Sequence, residues 1–317
     1  MNSDAHTPAS SQASCLEAVE AHERFDLPPG CVEGYVTANG QRLHYVSAGE
    51  GPLAILLHGF PEFWYSWRHN LPALARIRRV VALDMRGYNL SDKPATGYDI
   101  ATLTTDIRCV IEAFGERQAD IIGHDWGGAL AWVFAIREPD YVRRLVVLNA
   151  PHPGPMSRAL RHPRQLLRSA YIGFFQFNGL AERAIAADHF GSVWRVFRSA
   201  DPHRAWLSDT DIQRLVDAIA RPGALSAALE YYRQLVRRGP AVVGVTRVIT
   251  APTLTLWGEQ DPYLGVELLD DLECWVHDLR IVRFPGVGHW LNQQRAHEVN
   301  AAIVAFLSED SEERPQR

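Results

Sequence analysis

The chain has 317 residues, of which 47% are hydrophobic and 22% charged, and its formal net charge is -5 at pH 7. This composition predicts a soluble globular protein with one large core and room for an inserted lobe. The negative balance argues against nucleic acid as a partner, because phosphate binding needs concentrated Lys and Arg. The basic run 158–168 is therefore interpreted as a solvated helix face.

Targeting and membrane signals are absent from the sequence. No apolar run approaches the roughly 20 residues of a membrane-spanning helix, and residues 1–14 lack the apolar segment of a signal peptide. The cysteines are widely spaced and form no metal or redox motif, so a cytoplasmic location is the default expectation. They are Cys15, Cys31, Cys109 and Cys274. The expected state is a monomer or a homo-oligomer.

Strand and helix signals alternate along the chain. The first two strands, 31–36 and 41–47, are predicted to form a hairpin with Asn39-Gly40 as its turn. Apolar residues at helical spacing predict a helix over 100–114, which Gly115 is placed to end. The other predicted strands are 53–57, 79–83, 119–122, 144–148, 252–257 and 280–284. This alternation predicts an α/β protein with a mostly parallel eight-stranded sheet flanked by helices.

The alternation stops between about residues 151 and 239. Pro151, Pro153 and Pro155 mark the exit from the sheet, and several helix-like stretches follow without a strand. We interpret this part as a helical cap, or lid, inserted into the core. The predicted division is a flexible N-terminal segment 1–30, core 31–150, cap 151–240, core 241–307 and a flexible tail 308–317.

The most informative motif is Gly-x-Asp-x-Gly at 123–127, between an apolar strand and a helix-compatible run. The pattern predicts a nucleophile elbow, in which glycines permit a sharp strand-to-helix turn that presents one side chain above the sheet. The presented residue is Asp125, and a carboxylate there can displace a leaving group at a saturated carbon. This favours a hydrolase of epoxides or alkyl halides. The pentapeptide alone is more often an ordinary turn, so the interpretation depends on the rest of the chain.

A second motif, His58-Gly59-Phe60-Pro61, follows the predicted strand 53–57. The carboxyl ends of strands are where open α/β sheets build their sites. The backbone N–H groups of Phe60 and Trp126 are therefore predicted to form an oxyanion hole that stabilises charge on an ester carbonyl.

A third pair of residues lies late in the chain. His289 follows the last strand, where the chain order nucleophile, acid, histidine requires a base. Asp261 follows the penultimate strand and is preferred as the acid that orients this histidine. Glu259 and Asn149 are the competitors for that role. Most of the other histidines, His124 included, are interpreted as surface or structural residues.

Together these motifs resemble the epoxide hydrolase family of the α/β-hydrolase fold over about residues 30–307. The resemblance rests on the stretches 58–61, 84–88, 123–128 and 288–289 and on Asp261. One departure is Asn89, where the family usually has Gly; Asn tolerates positive φ better than most residues, so we expect the turn to survive. The resemblance implies no metal or organic cofactor.

The resemblance also implies a substrate and a proton donor. The family opens a small apolar epoxide through an aspartyl ester that histidine-activated water hydrolyses, and two cap tyrosines hydrogen-bond the ring oxygen. The matching positions are Tyr171 and Tyr232, with Tyr231 leaving the register open by one residue. Tyrosines of a cap often serve only in packing, which is the alternative for both.

The main alternative is a haloalkane dehalogenase with the same nucleophile. Such an enzyme needs N–H donors around a halide, and Trp126 together with Trp194 or Trp206 could supply them. The Asn that often supplies the second donor is absent, because its position is Phe60. A fluoroacetate dehalogenase is disfavoured, since that family has Arg where Trp126 stands. A non-catalytic binding protein is disfavoured by the complete set of nucleophile, acid and base.

Overall fold

The structure is a computed structural model that describes three parts of the chain: 16–18, 27–238 and 247–309. Most of the two segments predicted to be flexible, 1–30 and 308–317, lies outside these parts. Residue 240, the predicted end of the cap, also lies outside them. Cys15 also lies outside them.

A mostly parallel sheet forms the centre of the fold. Its strands are β1 (Leu16–Ala18), β2 (Val32–Ala38), β3 (Gln41–Ala48), β4 (Leu53–Leu57), β5 (Arg79–Leu83), β6 (Ala119–His124), β7 (Val142–Leu148), β8 (Thr253–Gly258) and β9 (Leu279–Phe284). Their order across the sheet is β1-β2-β3-β5-β4-β6-β7-β8-β9. Three pairs of neighbouring strands are antiparallel: β1 with β2, β2 with β3, and β3 with β5. All other neighbouring strands are parallel.

The eight predicted strands are confirmed, and β1 adds a ninth. β1 lies within the segment predicted to be flexible, and it joins the sheet by antiparallel pairing with β2. Backbone pairing of this kind leaves no mark in composition. The central strands β4 and β6 are buried along their whole length. Such burial on both faces is what a continuous apolar run in a parallel sheet requires.

The helices are α1 (Leu71–Leu74), α2 (Ile100–Ala113), α3 (Trp126–Arg137), α4 (Pro153–Ala159), α5 (Pro163–Arg168), α6 (Ala170–Phe174), α7 (Leu180–Ala200), α8 (Asp209–Ala220), α9 (Ala224–Arg238), α10 (Leu291–Gln294) and α11 (Ala296–Ser308). Helices α4 to α9 lie between β7 and β8, in the segment predicted to be the cap. Within α7, residues 187–190 leave the helical conformation. In the described ranges no helix is both long and apolar enough to cross a bilayer.

The turn from β6 into α3 positions the site. Asp125 occupies it with φ 51° and ψ -118°, a backbone conformation that is strained for a residue other than glycine. The flanking glycines allow neighbouring backbones to approach. A Cβ on Gly127 would lie 2.2 Å from the carbonyl oxygen of Leu57 in β4, and one on Gly123 would lie 2.3 Å from the carbonyl oxygen of Gly127. No side chain fits at either position.

We predict that Gly127→Ala destabilises the protein, because its methyl group meets backbone atoms of β4 that cannot move aside. The expected loss in the free energy of unfolding is at least about 2 kcal/mol, measured by urea denaturation. Gly173→Ala in α6 is the matched control, since nothing lies within 4 Å of the Cβ that it would add. Equal stability of the two variants would contradict this account of the turn.

Candidate active site

Asp125 lies at the carboxyl end of β6 with its two carboxylate oxygens in different surroundings. Oδ1 accepts a hydrogen bond of 2.8 Å from the backbone N–H of Phe60, while Oδ2 lies 3.5 Å from Nε2 of His289. Trp126 begins α3, where a backbone N–H has no acceptor within its own helix. Burial raises the pKa of Asp125, but hydrogen bonding and attraction by His289 outweigh it, so the pKa lies below its usual value.

His289 is held between two carboxylates. Its Nδ1 lies 2.7 Å from Oδ2 of Asp261, and its Nε2 faces Asp125. The other oxygen of Asp261 accepts from the backbone N–H groups of Tyr263 and Leu264, which fixes the carboxylate. Burial lowers the pKa of His289, but the charges and hydrogen bonds of the two aspartates raise it further, to about 10. The imidazole is therefore protonated at neutral pH.

Of the three candidates for the acid, Asp261 is the one in contact with His289. The carboxylate of Glu259 instead pairs with Arg283 at 2.7 Å. Asn149 supports the acid: its amide nitrogen donates to Oδ2 of Asp261 at 2.6 Å, and its amide oxygen accepts from the backbone N–H of Gly258. In the described ranges, no cluster of His, Cys, Asp or Glu could hold a metal ion.

A buried pair of residues that the sequence analysis did not identify lies beneath His289. Nδ1 of His124 is 2.9 Å from a carboxylate oxygen of Glu62, and its Nε2 is 3.0 Å from the backbone oxygen of His289. Gln293 donates to the other oxygen of Glu62. His124 stands inside the elbow motif, and Glu62 directly follows the motif 58–61. Only their contact in three dimensions distinguishes this pair from ordinary buried residues.

A cavity of about 310 Å³ opens above Asp125, and cap and core residues line it together. Asp125 and His289 lie on its core side, and Tyr171 and Tyr232 come from cap helices α6 and α9. The rings of the two tyrosines are 5.9 Å apart. Burial raises the pKa of both hydroxyls, and the charge of Asp125 adds to this effect, so both remain protonated donors.

The structure also places the neighbouring tyrosine. The hydroxyl of Tyr231 donates to the backbone oxygen of Arg86 at 2.7 Å and is fully buried there. Tyr232 is the member of the pair that lines the cavity. The register preferred from the sequence therefore agrees with the side-chain positions.

Known proteins with a similar sequence identify the family of this chain. Residues 52–296 match a family model described as alpha/beta hydrolase fold. The chain belongs to this family. Mouse "Epoxide hydrolase 4" is 38% identical over 303 residues, which cover 90% of this chain and 84% of the relative. The "AB hydrolase superfamily protein YfhM" of Bacillus subtilis is 37% identical over 279 residues, covering 86% and 96%.

Solved structures that resemble this chain are also epoxide hydrolases. An epoxide hydrolase of Bacillus megaterium, solved with an inhibitor, is 33% identical with a TM-score of 0.81 and covers 87% of this chain and 100% of its own. A mutant of that enzyme was solved with its product, (R)-3-[1]naphthyloxy-propane-1,2-diol. The resemblance to epoxide hydrolases that the motifs predict is confirmed, and so is the α/β-hydrolase fold.

The raised pKa of His289 makes a prediction about stability and pH. In the unfolded chain a histidine has a pKa near 6.5, whereas in the folded protein that of His289 is raised to about 10. Folding therefore favours the protonated form, and this contribution is complete below pH 6.5 and lost as pH rises to about 10. The excess stability of wild type over His289→Gln, measured by urea unfolding, should fall across this window. An excess that is constant or grows would contradict the charge assignment.

Proposed function

We propose that this protein hydrolyses small apolar epoxides to vicinal diols through a covalent ester on Asp125. One observation carries the proposal: Asp125 and His289 face two protonated cap tyrosines across one cavity. The diol product of the Bacillus megaterium relative supports the same reaction for this chain. The cap boundaries 151–240, a cytoplasmic location and a monomeric or homo-oligomeric state belong to this proposal as well.

The first step is displacement at a ring carbon. Oδ1 of Asp125 accepts a hydrogen bond of 2.8 Å from the Phe60 N–H, whereas Oδ2 has only the longer contact of 3.5 Å to His289, so Oδ2 is the attacking oxygen. A bond forms from Oδ2 to carbon as the carbon–oxygen bond of the epoxide breaks. The departing oxygen takes a proton from Tyr171 or Tyr232, because an unprotonated alkoxide is a poor leaving group. The lowered pKa of Asp125 keeps its carboxylate ionised for this attack.

The second step is hydrolysis of the ester. His289 accepts a proton from water as the water oxygen attacks the carbonyl carbon of Asp125, and Asp261 stabilises the resulting imidazolium. Negative charge then develops on Oδ1, where the Phe60 N–H already lies at 2.8 Å. The intermediate collapses as the bond from the carbonyl carbon to Oδ2 breaks, and the departing diol oxygen takes the proton from His289. The carboxyl group formed on Asp125 then returns a proton to His289. The N–H of Trp126 is the second donor of the proposed oxyanion hole.

Ester formation also prepares the base. In the free protein the carboxylate of Asp125 helps to raise the pKa of His289. Esterification removes that negative charge, so the pKa of His289 falls and the imidazole can release its proton before it acts on water. That proton restores the hydroxyl of the tyrosine that gave up its own proton in the first step. His289 is therefore protonated in the resting site and neutral in the ester intermediate.

The cavity also bears on the dehalogenase alternative. Trp194 and Trp206, the candidate halide donors of the cap, are not among the residues that line it, whereas Tyr171 and Tyr232 are. Hydroxyl donors at this place suit an oxygen leaving group, so epoxides are favoured over alkyl halides.

We predict that His289→Gln accumulates the covalent intermediate, because the ester forms without its base but is not hydrolysed. Intact-mass spectrometry after incubation with an epoxide should show one substrate mass added, on the peptide that contains Asp125. The double variant Asp125→Ala with His289→Gln is the control and should show no addition. Absence of the adduct in the single variant, with binding demonstrated by calorimetry, would count against the ester mechanism.

We predict that Tyr171→Phe and Tyr232→Phe each slow ester formation about ten- to a hundredfold, since each loses a hydrogen bond to developing charge. The double variant should be far slower. Stopped-flow fluorescence of the alkylation phase measures these rates. Tyr231→Phe is the matched control, because its hydroxyl bonds Arg86 outside the cavity. If all three variants leave epoxide turnover intact and the wild type releases halide from haloalkanes, the dehalogenase hypothesis replaces this one.

A further inference from the structure

The cavity holds one polar side chain that the proposed reaction does not use. Apart from the four proposed catalytic residues, its polar lining consists of Ser192, Tyr263 and the indole of Trp290. The Ser192 hydroxyl donates to the backbone oxygen of Ile185, and the indole nitrogen of Trp290 has no accessible surface. The Tyr263 hydroxyl accepts or donates no hydrogen bond within the described ranges.

Tyr263 is held rigidly by contacts from both sides of the cavity. Its ring packs edge-to-face against His289 at 5.3 Å and against Tyr171 at 5.9 Å between ring centroids. Its backbone N–H donates to Asp261 at 2.7 Å, and its backbone oxygen accepts from Gln165 of cap helix α5 at 2.9 Å. These contacts hold the ring of Tyr263 beside His289 and Tyr171.

The position of the ring limits where a ligand of this hydroxyl can lie. Tyr263 contacts the proposed base and a proposed proton donor, so it stands beside the reacting carbons. The rest of the cavity lining is mostly apolar and includes Ile185, Val193 and Val196. Burial and the charges of Asp261 and Asp125 raise the pKa of Tyr263 to about 12, which keeps the hydroxyl protonated at neutral pH.

We propose that Tyr263 is a substrate-binding residue whose hydroxyl donates a hydrogen bond to a second oxygen of the substrate. The favoured epoxides then carry an ether or hydroxyl oxygen on the carbon next to the ring, with an apolar group beyond it. A carboxylate at this place is disfavoured, because no Lys or Arg is among the residues lining the cavity. A buried site with few polar groups uses each of them to fix ligand orientation. This inference rests on the proposed epoxide hydrolysis.

The experiment compares two epoxides that differ at one atom: phenyl glycidyl ether and its carbon analogue, 4-phenyl-1,2-epoxybutane. The ratio of their kcat/KM values is measured for wild type and for Tyr263→Phe, which keeps the ring contacts. The ratio should fall about three- to tenfold in the variant, the effect of one hydrogen bond, with turnover of the carbon analogue nearly unchanged. Intrinsic reactivity differences between the epoxides cancel in this comparison. Tyr141→Phe is the control, since its hydroxyl bonds the distant Glu112 and the ratio should not change.

An unchanged ratio in Tyr263→Phe overturns the inference. An equal loss with both epoxides also overturns it and makes Tyr263 a positioning residue for His289 and Tyr171. Failure of the proposed reaction is recognised separately, because wild type would then turn over neither epoxide. Calorimetry with the diols 3-phenoxypropane-1,2-diol and 4-phenylbutane-1,2-diol tests Tyr263 without turnover. Wild type should prefer the ether diol and Tyr263→Phe should lose that preference; the same preference in both proteins contradicts the proposal.

Discussion

The close approach of the first turn of α3 to the carboxyl end of β4 is the constraint on which the rest of the site depends. Gly127 lies so near the backbone of Leu57 that the turn can form only with glycine there. The approach brings the Phe60 N–H to one oxygen of Asp125 and leaves the other oxygen open. The positive φ of Asp125 costs of the order of 1–3 kcal/mol, which the surrounding buried strands and α3 offset. Strain is thus stored where the carboxylate must face the cavity.

Two carboxylates share one imidazole in this buried site, and their competition organises the proposed chemistry. Besides His289, the carboxylate of Asp261 has three hydrogen-bond donors, which are two backbone N–H groups and the amide of Asn149. Asp125 has one backbone donor and depends on His289 for the rest. This asymmetry suits a nucleophile that loses its charge and an orienting acid that keeps it.

The sequence predicts those parts of the fold and site that are specified locally. The bounds of β4 and β5 agree with prediction, and α2 ends one residue early because Gly115 follows with a positive φ. Elements made by distant partners were not predictable: β1 depends on β2, and the Glu62–His124 pair joins residues 62 positions apart. The break at 187–190 in α7 directly precedes Gly191-Ser192, and glycine and serine in succession are a local kink signal that the sequence prediction did not use. Adjacent tyrosines in a helix differ only in direction, and contact with Arg86 distinguishes Tyr231 from its neighbour.

The departure from the family pattern at Asn89 acquires a physical meaning at the junction of cap and core. Asn89 has a φ of 40°, as the turn requires, and its amide nitrogen donates to the buried carboxylate of Asp84 at 2.7 Å. Its amide oxygen accepts from Arg221, between cap helices α8 and α9, at 3.0 Å. Glycine could adopt this turn but could make neither contact. Since Tyr232 lies on α9, the bond from Arg221 helps to fix the distance between the cap hydroxyls and Asp125, on which the proposed proton transfer to a substrate oxygen would depend.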